Sequence, residues 1–214
     1  MEQVKSIIDP SVKGEENDLE MKGRKCSIVY FDEGGRHNTR FTYDLARERA
    51  DELGIKKIVI ASVRGRSVPD ALKAFEGSDI KLYFASCNAC NGCERFDLGM
   101  KKALEKAGHE LIYTNEHAYP YPPVAELAYR RLCEGMKVVV HLAIAVAEEG
   151  IIPPGEEFIA IAGTGWKMYG PGGGSDTAVV IESILAKDYW TYLPTVTEHK
   201  LKGRKIKEII CMPR

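Results

Sequence analysis

The chain has 214 residues, of which 44% are hydrophobic and 29% charged, and its formal net charge is −1. This composition is typical of a globular protein, and the basic residues are spread along the chain rather than gathered in a stripe, so nucleic-acid binding is disfavoured. The first ten residues lack the basic and apolar regions of a signal peptide, and no apolar run in the sequence reaches membrane-spanning length. We therefore expect a cytoplasmic protein with no membrane partner.

Strands and helices alternate through the first half of the chain. Residues 1–24 are polar and of mixed charge, and we interpret them as an extension of a single ligand-binding domain over residues 25–214. A buried strand is predicted at residues 26–31, followed by a helix that begins at Asn38 or Thr39 and ends at Gly54. The residues predicted on the inward face of this helix are Phe41, Leu45, Ala46, Ala50 and Leu53.

The alternation continues with strands at residues 57–62, 80–85 and 110–114 and helices at residues 68–75 and 96–107. The apolar residues that fall on one face of each helix are Val68, Ala71, Leu72 and Phe75 in the first, and Met100, Ala103, Leu104 and Ala107 in the second. Repeated strand-helix units of this kind predict a mostly parallel sheet.

Helices dominate the next part of the chain. A helical segment is predicted at residues 124–134, and residues 137–149 favour a buried helix because of their length and the glycine that follows, although residues 138–140 also suit a strand. We expect a homo-oligomer, in which residues 137–149 face either a partner subunit or the core of their own subunit.

The chain finishes with strands at residues 158–162, 177–184 and 206–212, the last as an antiparallel edge strand. The fold class predicted is therefore α/β, a three-layer sandwich with a mostly parallel sheet and an antiparallel edge strand.

A glycine-rich loop follows the strand at residues 158–162. Residues 163–177 read GTGWKMYGPGGGSDT, and glycines open backbone N–H groups to a ligand, as in many phosphate sites. A flexible linker has the same composition, but the apolar runs on both sides indicate a loop within one core. We expect this loop to close over part of a ligand.

A second loop, ASVRGRSVPDA at residues 61–71, has the parts of a phosphate-binding turn. Ser67 and Asp70 form a predicted capping box at the start of the next helix, and Pro69 suits its first turn. The hydroxyl, guanidinium and backbone donors expected for phosphate belong to Ser62, Ser67, Arg64, Arg66 and Gly65. The alternative is an ordinary strand-to-helix turn with solvated arginines.

Three such loops leave the carboxyl ends of predicted parallel strands: residues 32–39 (DEGGRHNT), 62–67 and 163–177. Ligands of parallel α/β sheets bind beyond these ends, near a switch in strand order. The sequence therefore predicts a site for a phosphorylated small molecule at this edge of the sheet.

The two loops, ASVRGRS before a helix and TGW with a glycine-rich stretch ending in Asp176 and Thr177, resemble those with which the C-terminal domain of pyruvate kinase binds a phosphorylated sugar effector. The chain has no counterpart of the catalytic barrel, so the resemblance implies no kinase activity. The patterns YFxExGxxNT at residues 30–39, EEFIAIAGT at residues 156–164 and DTA at residues 176–178 are more similar to stand-alone archaeal proteins of this fold. That group binds flavin mononucleotide (FMN), with uncertain activity.

The resemblance implies a set of cofactor-binding residues. Those for the flavin phosphate are Ser62, Val63, Arg64, Gly65, Arg66 and Ser67. Those for the ribityl chain or the ring are Gly163, Thr164, Gly165, Asp176 and Thr177, with Trp166 either stacked on the ring or anchoring the loop to the core. Glu33, Asn38 and Thr39 would line the near side, unless Asn38 and Thr39 serve only as helix caps. His117 and His141 are candidates for proton transfer or ring contacts, or else ordinary core or surface histidines.

Cys87, Cys90 and Cys93 form a CxxCxxC pattern, whose thiolates could bind zinc or an iron-sulfur cluster. The fourth ligand would come from Cys133, Cys26 or Cys211. Unligated thiols and a redox dithiol are the alternatives.

These patterns leave three functions open: an FMN protein, as an oxidoreductase or a flavin carrier, a non-catalytic sensor of a phosphorylated metabolite, and an iron-sulfur or zinc protein.

Overall fold

The computed structural model describes residues 26–87, 96–114, 123–164, 173–189 and 206–214. The predicted extension at residues 1–24 lies outside this part of the chain. The strands form a seven-stranded sheet in the order β1-β7-β6-β5-β2-β3-β4. Their bounds are β1 Val29–Phe31, β2 Lys57–Ala61, β3 Lys81–Cys87, β4 Glu110–Thr114, β5 Glu157–Ala162, β6 Thr177–Glu182 and β7 Ile206–Pro213.

The sheet is mostly parallel, as predicted. Strands β5, β2, β3 and β4 are parallel neighbours, and β1 is parallel to β7. Strand β6 is antiparallel to both of its neighbours, β5 and β7. The last strand is therefore antiparallel to β6, but its predicted edge position is corrected, because β1 pairs along its outer side.

Strand β1 corrects a second prediction. The apolar run at residues 26–31 was expected to be a buried strand, whereas only Val29–Phe31 form a strand, and Ile28, Val29 and Tyr30 are exposed. Apolar side chains on an edge strand have a neighbouring strand on one side only, and local composition does not distinguish this position from a central one.

Helices cover both faces of the sheet, which confirms the three-layer α/β class. Their bounds are α1 Thr39–Leu53, α2 Val68–Ala74, α3 Leu98–Lys106, α4 Pro123–Leu132, α5 Glu134–Glu148 and α6 Ala186–Tyr189. One core lies between the sheet and α1, α2 and α3, and a second lies between the sheet and α5. Alternation along β2 supplies both, with Ile58 and Ile60 in the first and Val59 in the second.

Helix α1 begins and ends near its predicted bounds, and Gly54 ends it with a left-handed φ of 68°. Its buried face differs from the prediction. Ala46 and Ala50 are buried as expected, but Phe41 is 65% exposed and Tyr43 is fully buried instead. The prediction for Phe41 is wrong because the buried stripe passes through Thr39, Tyr43, Ala46 and Ala50, the spacing of one helix face.

Helix α5 confirms the buried helix predicted at residues 137–149. It packs into the core of its own chain through the fully or almost fully buried Met136, Val139, Val140 and Ala143. The helical segment predicted to end at residue 134 instead ends at Leu132, and the thiol of Cys133 then accepts a hydrogen bond from Met136 N at 3.3 Å. In α3, Leu104 is buried as predicted, whereas Ala107 lies past the helix end and is exposed.

Candidate functional site

The three predicted loops meet at one edge of the sheet. Strands β1, β2 and β5 point in the same direction, and β6 starts where β5 ends. Residues 32–38, 62–67, 163–164 and 173–176 therefore share the carboxyl edge. Residues 165–172, with the predicted Gly165 and Trp166, lie outside the described residues.

The ends of β2 and β5 form a topological switch point. Strand β2 pairs with β3 on one side and with β5 on the other. The chain passes from β2 to β3 through α2 on one face of the sheet, and from β4 to β5 through α4 and α5 on the other. Such a reversal opens a crevice beyond the carboxyl ends of the two strands, which is where α/β proteins bind ligands.

A pair of serine hydroxyls lies on the β2 side of this crevice. Ser67 Oγ donates to Ser62 Oγ at 2.7 Å. Ser67 occupies the position before α2, but its backbone is already helical and its side chain caps no N–H, so the predicted capping box with Asp70 is wrong. The Ser67 side chain hydrogen-bonds to Ser62, five positions earlier, instead of to an N–H of its own helix. Pro69 does lie in the first turn of α2, as predicted.

Gly65 is required by packing. Its φ is +80°, and a Cβ there would lie 2.8 Å from the ring of Phe96. Gly65 is buried, while Val63 and Arg66 on either side of it are exposed and Arg64 is half-buried. Arg66 thus faces solvent, and the absence of a side chain on Gly65 allows the close approach of Phe96.

Asp176 joins the loops at the other side of the crevice. Its side chain is fully buried, and Oδ2 accepts hydrogen bonds from Gly35 N at 2.8 Å, Thr164 N at 3.1 Å and the Thr164 hydroxyl. Its Oδ1 accepts from the Thr177 hydroxyl at 3.0 Å. Both oxygens are therefore used within the protein, and Asp176 holds the loop after β1 against the end of β5.

The glycines of these segments bring backbones together. A Cβ on Gly163 would overlap the carbonyl oxygen of Gly174, and one on Gly174 would overlap the backbone of Arg36. A Cβ on Gly34 would crowd the Thr164 hydroxyl. In the described part of the glycine-rich loop, the absent side chains thus allow three backbone segments to touch.

The near-side residues Glu33, Asn38 and Thr39 are also placed here. Asn38 precedes α1 but caps no N–H, and its Nδ2 donates to Glu33 O at 2.7 Å. Thr39 Oγ1 accepts from Ser175 N at 3.1 Å. Both side chains are buried, so the prediction that they serve only as helix caps is wrong, and they hold the loop after β1 and the start of β6 in place.

Tyr43 belongs to this site although no motif in the sequence marks it, and its partner Ser175 lies in the glycine-rich loop but was not among the predicted site residues. Ser175 Oγ donates to Tyr43 OH at 3.0 Å. Burial raises the pKa of Tyr43 to about 12, and the hydrogen bond from Ser175 partly opposes this shift. One signal was present in the sequence: Thr39 and Tyr43, one turn apart, place hydroxyls on the otherwise apolar stripe of α1.

Four of the six cysteines lie in the described residues, and no three of these four lie together. Cys87 is the last residue of β3, at the carboxyl edge beside the Ser62–Ser67 turn, whereas Cys90 and Cys93 lie outside the described residues. Burial raises the pKa of the Cys133 thiol, and raises that of Cys211 to about 12, which disfavours the thiolates that metals bind. Cys26 is exposed. The described residues contain no cluster of three metal-ligating side chains.

One of the two histidine candidates lies in the described residues. His141 is buried within α5, on the face of the sheet opposite α1, and His117 lies outside the described residues.

Two surface cavities lie away from the carboxyl edge. One, of about 430 Å³, is lined by residues that include Leu72, Phe75 and His109, and another, of about 250 Å³, by residues that include Tyr129 and Tyr189. We therefore define the candidate site by the strand topology and by the polar side chains at the carboxyl edge of the sheet.

No protein-family model matches the chain. Among solved structures, the chain is similar to Cryptosporidium parvum pyruvate kinase in complex with ADP, with a TM-score of 0.39 and 14% sequence identity. The similarity covers 68% of this chain and 23% of the pyruvate kinase chain, so this chain spans about a quarter of that length. Within the described ranges, no helix has the length and apolarity needed to cross a membrane.

Proposed function

We propose that this protein binds a phosphorylated small molecule at the carboxyl ends of β2 and β5, with FMN as the first candidate. The observation that carries the proposal is the Ser62–Ser67 hydroxyl pair, 2.7 Å apart, in an arginine-bearing turn at the switch point of the sheet. Hydroxyls and guanidinium groups are donors that match the acceptor oxygens of a phosphate.

The residues present fit a phosphate group. Ser62, which accepts the Ser67 proton, would donate its own proton to a phosphate oxygen, and Arg64 and Arg66 would supply positive charge from the same turn. Arg66 is exposed, so its guanidinium is accessible to a ligand. Because α2 has seven residues and its first position is not capped by a side chain, the proposal rests on these side chains and not on a helix dipole.

The rest of the ligand would lie toward the ends of β5 and β6. Within the described residues, Gly163 and Thr164 directly follow the end of β5 and begin the glycine-rich loop. Asp176 and Thr177 are fully buried and bonded within the protein, so we assign them the positioning of the loops and not direct contact with the ligand.

The flavin part of the proposal comes from the motif resemblance at residues 30–39, 156–164 and 176–178. A bound flavin supplies hydride and electron transfer, and a cytoplasmic oxidoreductase or a flavin carrier would use it. The protein's own contribution is to bind the phosphate and to orient the ring against a substrate.

The test is a titration of the full chain with three probes: FMN, riboflavin and inorganic phosphate, followed by flavin fluorescence and by the melting temperature. We expect FMN to bind more tightly than riboflavin, and Arg66→Ala to weaken FMN while riboflavin is unaffected. Arg131→Ala, which removes an exposed arginine on α4, is the matched control.

The same titration separates FMN from the sensor alternative. A sugar phosphate that raises the melting temperature when FMN does not would retain the phosphate site and exclude the flavin. If neither FMN nor any phosphate compound binds, the proposed function is wrong.

A further inference from the structure

Strand β1 forms one edge of the described sheet, and apolar residues are exposed along it. Ile28, Val29 and Tyr30 are 38%, 37% and 48% exposed, and β7 is the strand that pairs with β1. Edge strands of monomeric proteins usually carry charged side chains, proline or a bulge, which discourage pairing with another chain. The sequence CSIVYF at residues 26–31 contains neither a charged residue nor a proline, so side-chain chemistry does not protect this edge.

The backbone of β1 presents hydrogen-bonding groups to its two sides in alternation. Phe31 O accepts from Arg214 N at 3.0 Å, so in this parallel pair the N–H and C=O groups of Phe31 face β7. The backbone groups of Tyr30, the preceding residue, therefore point away from β7. The same alternation places the C=O group of Ile28 on this outer side.

The opposite edge of the sheet, strand β4, carries the protection that β1 lacks. It begins with the exposed Glu110, whose carboxylate lies 2.9 Å from Lys81 Nζ. Tyr113 of β4 is 45% exposed, but Ile112 beside it is buried. A charged side chain on an edge strand disfavours the approach of another strand. Of the two edges, β1 is thus the one suited to pairing.

Antiparallel pairing makes β1 complementary to a second copy of itself. With a twofold axis at Val29, Ile28 of one copy lies opposite Tyr30 of the other, and these residues form the hydrogen-bonded pairs. Their side chains share one face of the sheet, and a β-branched residue opposite an aromatic one stabilises antiparallel strands. Val29 meets its own copy on the other face, where Phe31 packs against the core between the sheet and α1.

The charges beside β1 favour the same arrangement. In the sequence, Arg24 and Lys25 precede residues 26–31, and Asp32 and Glu33 follow them. Antiparallel copies bring the basic end of one segment toward the acidic end of the other, whereas parallel copies would bring like charges together. The side chain of Asp32 is 92% exposed, and Glu33 is exposed as well, so both carboxylates are accessible to a partner.

We propose that β1 is a dimerisation strand, which pairs antiparallel with β1 of a second copy and joins the two seven-stranded sheets into one continuous sheet. This interface does not depend on which ligand the protein binds. Stable complexes bury roughly 1,200–2,000 Å² of surface, and pairing over so few residues buries less. We therefore expect a dimer in measurable equilibrium with the monomer.

Sedimentation equilibrium of the full chain over a wide range of concentration tests the interface. We expect the dimer fraction of the wild type to rise with concentration, and Tyr30→Lys to stay monomeric, because an ammonium group then replaces the apolar contact on this edge. Tyr113→Lys, on the exposed tyrosine of the opposite edge strand, is the matched control and should dimerise as the wild type does. Melting temperatures measured at a concentration where the wild type is monomeric check that both variants fold.

A cross-link tests the register without placing a charge on the strand. In a Cys26→Ala background, Val29→Cys puts two thiols at the twofold axis, in a non-hydrogen-bonded pair whose Cα atoms lie about 4.5 Å apart, within the span of a disulfide. Ile28→Cys is the control, since its two copies lie more than about 7 Å apart in this register. We expect air oxidation to link Val29→Cys into dimers, and Ile28→Cys and Cys26→Ala alone to stay unlinked.

Three results would overturn the proposal. A wild-type protein that stays monomeric at every concentration is the result expected if another part of the same chain covers the edge. A dimer that is unaffected by Tyr30→Lys would mean that a different surface joins the two copies. Equal cross-linking at positions 28 and 29 would contradict the antiparallel register centred on Val29. None of these measurements involves FMN or phosphate, so each leaves the proposed function to its own test.

Discussion

The Asp176 carboxylate accepts a hydrogen bond from the backbone N–H of Gly35, 2.8 Å away, across 141 positions of sequence. Through the same oxygen it accepts from Thr164 N. One buried side chain therefore fixes the loop after the edge strand β1 relative to the end of the central strand β5. Because β7 and β6 lie between these strands, their own pairing does not position the two loops.

This arrangement predicts that Asp176→Ala lowers the free energy of unfolding by roughly 2–4 kcal/mol, because the N–H groups of Gly35 and Thr164 lose their acceptor. Asp176→Asn keeps one oxygen for both donors and should cost about 1 kcal/mol. Urea unfolding measures both. The control is Asp44→Ala, whose partner Arg40 is exposed and whose loss should cost less than about 1 kcal/mol. Equal effects at positions 44 and 176 would contradict the role of Asp176.

The order of elements could be predicted because buried parallel strands read as continuous apolar runs. Strand β4 has its predicted bounds, residues 110–114, and α5 was predicted from length and apolarity. Strand order could not be predicted in this way, since it depends on which elements pair across the sheet. Strand β1 shows the limit: its apolar run resembles a central strand, and only its place at the edge leaves it exposed.

The sequence predicts which loops lie at the same edge of the sheet, but it does not predict the hydrogen bonds between their side chains. The direction of the strands alone brings residues 32–38, 62–67, 163–164 and 173–176 to one edge of the sheet. The helix caps predicted at Asn38 and Ser67 are wrong because both side chains form other hydrogen bonds. Asn38 donates to Glu33 O, and Ser67 donates to the Ser62 hydroxyl. The role of Tyr43 could not be predicted from the sequence, because its hydrogen-bond partner Ser175 is 132 positions away.

The two glycines Gly65 and Gly77 allow backbone strain to be separated from crowding. Their φ angles are +80° and +74°, but a Cβ on Gly77 would meet nothing within 4 Å, whereas one on Gly65 would press on Phe96. We expect Gly77→Ala to cost about 1 kcal/mol of folding free energy, and Gly65→Ala to cost an additional 1–3 kcal/mol or so. Thermal or urea unfolding gives both values.

A rescue experiment checks the origin of the difference. Phe96→Leu in the Gly65→Ala background should recover part of the additional cost, because the smaller side chain makes room for the new methyl group. If Phe96→Leu adds its full single-variant cost instead, the contact between Gly65 and Phe96 does not explain the glycine.

The aromatic residues of α1 give a direct test of its buried face. Phe41 is 65% exposed and Tyr43 is fully buried, two positions apart. We expect Phe41→Ala to change the free energy of unfolding by no more than about 0.5 kcal/mol, and Tyr43→Ala to reduce it by about 3–5 kcal/mol. Comparable losses would mean that the face of α1 is rotated from the one described.

Alkaline stability follows from the buried thiol of Cys211, whose pKa burial raises from 9.0 to about 12. Between these values the thiol stays protonated in the folded state and ionises in the unfolded state. The unfolded state then binds fewer protons, so stability that is complete below pH 9 is lost as pH rises toward 12. Tyr43, with an ordinary pKa of 10.0 and a folded value of about 12, adds to the loss above pH 10.

The slope between pH 9 and pH 10 therefore isolates Cys211 from Tyr43. We expect the urea midpoint of the wild-type protein to fall across this interval, and that of Cys211→Ala to start lower, because a small cavity is left, but to fall less steeply. Cys26→Ala, which removes an exposed thiol, should keep the wild-type slope. Parallel curves for the wild type and Cys211→Ala would show that ionisation of this thiol is not what destabilises the fold at alkaline pH.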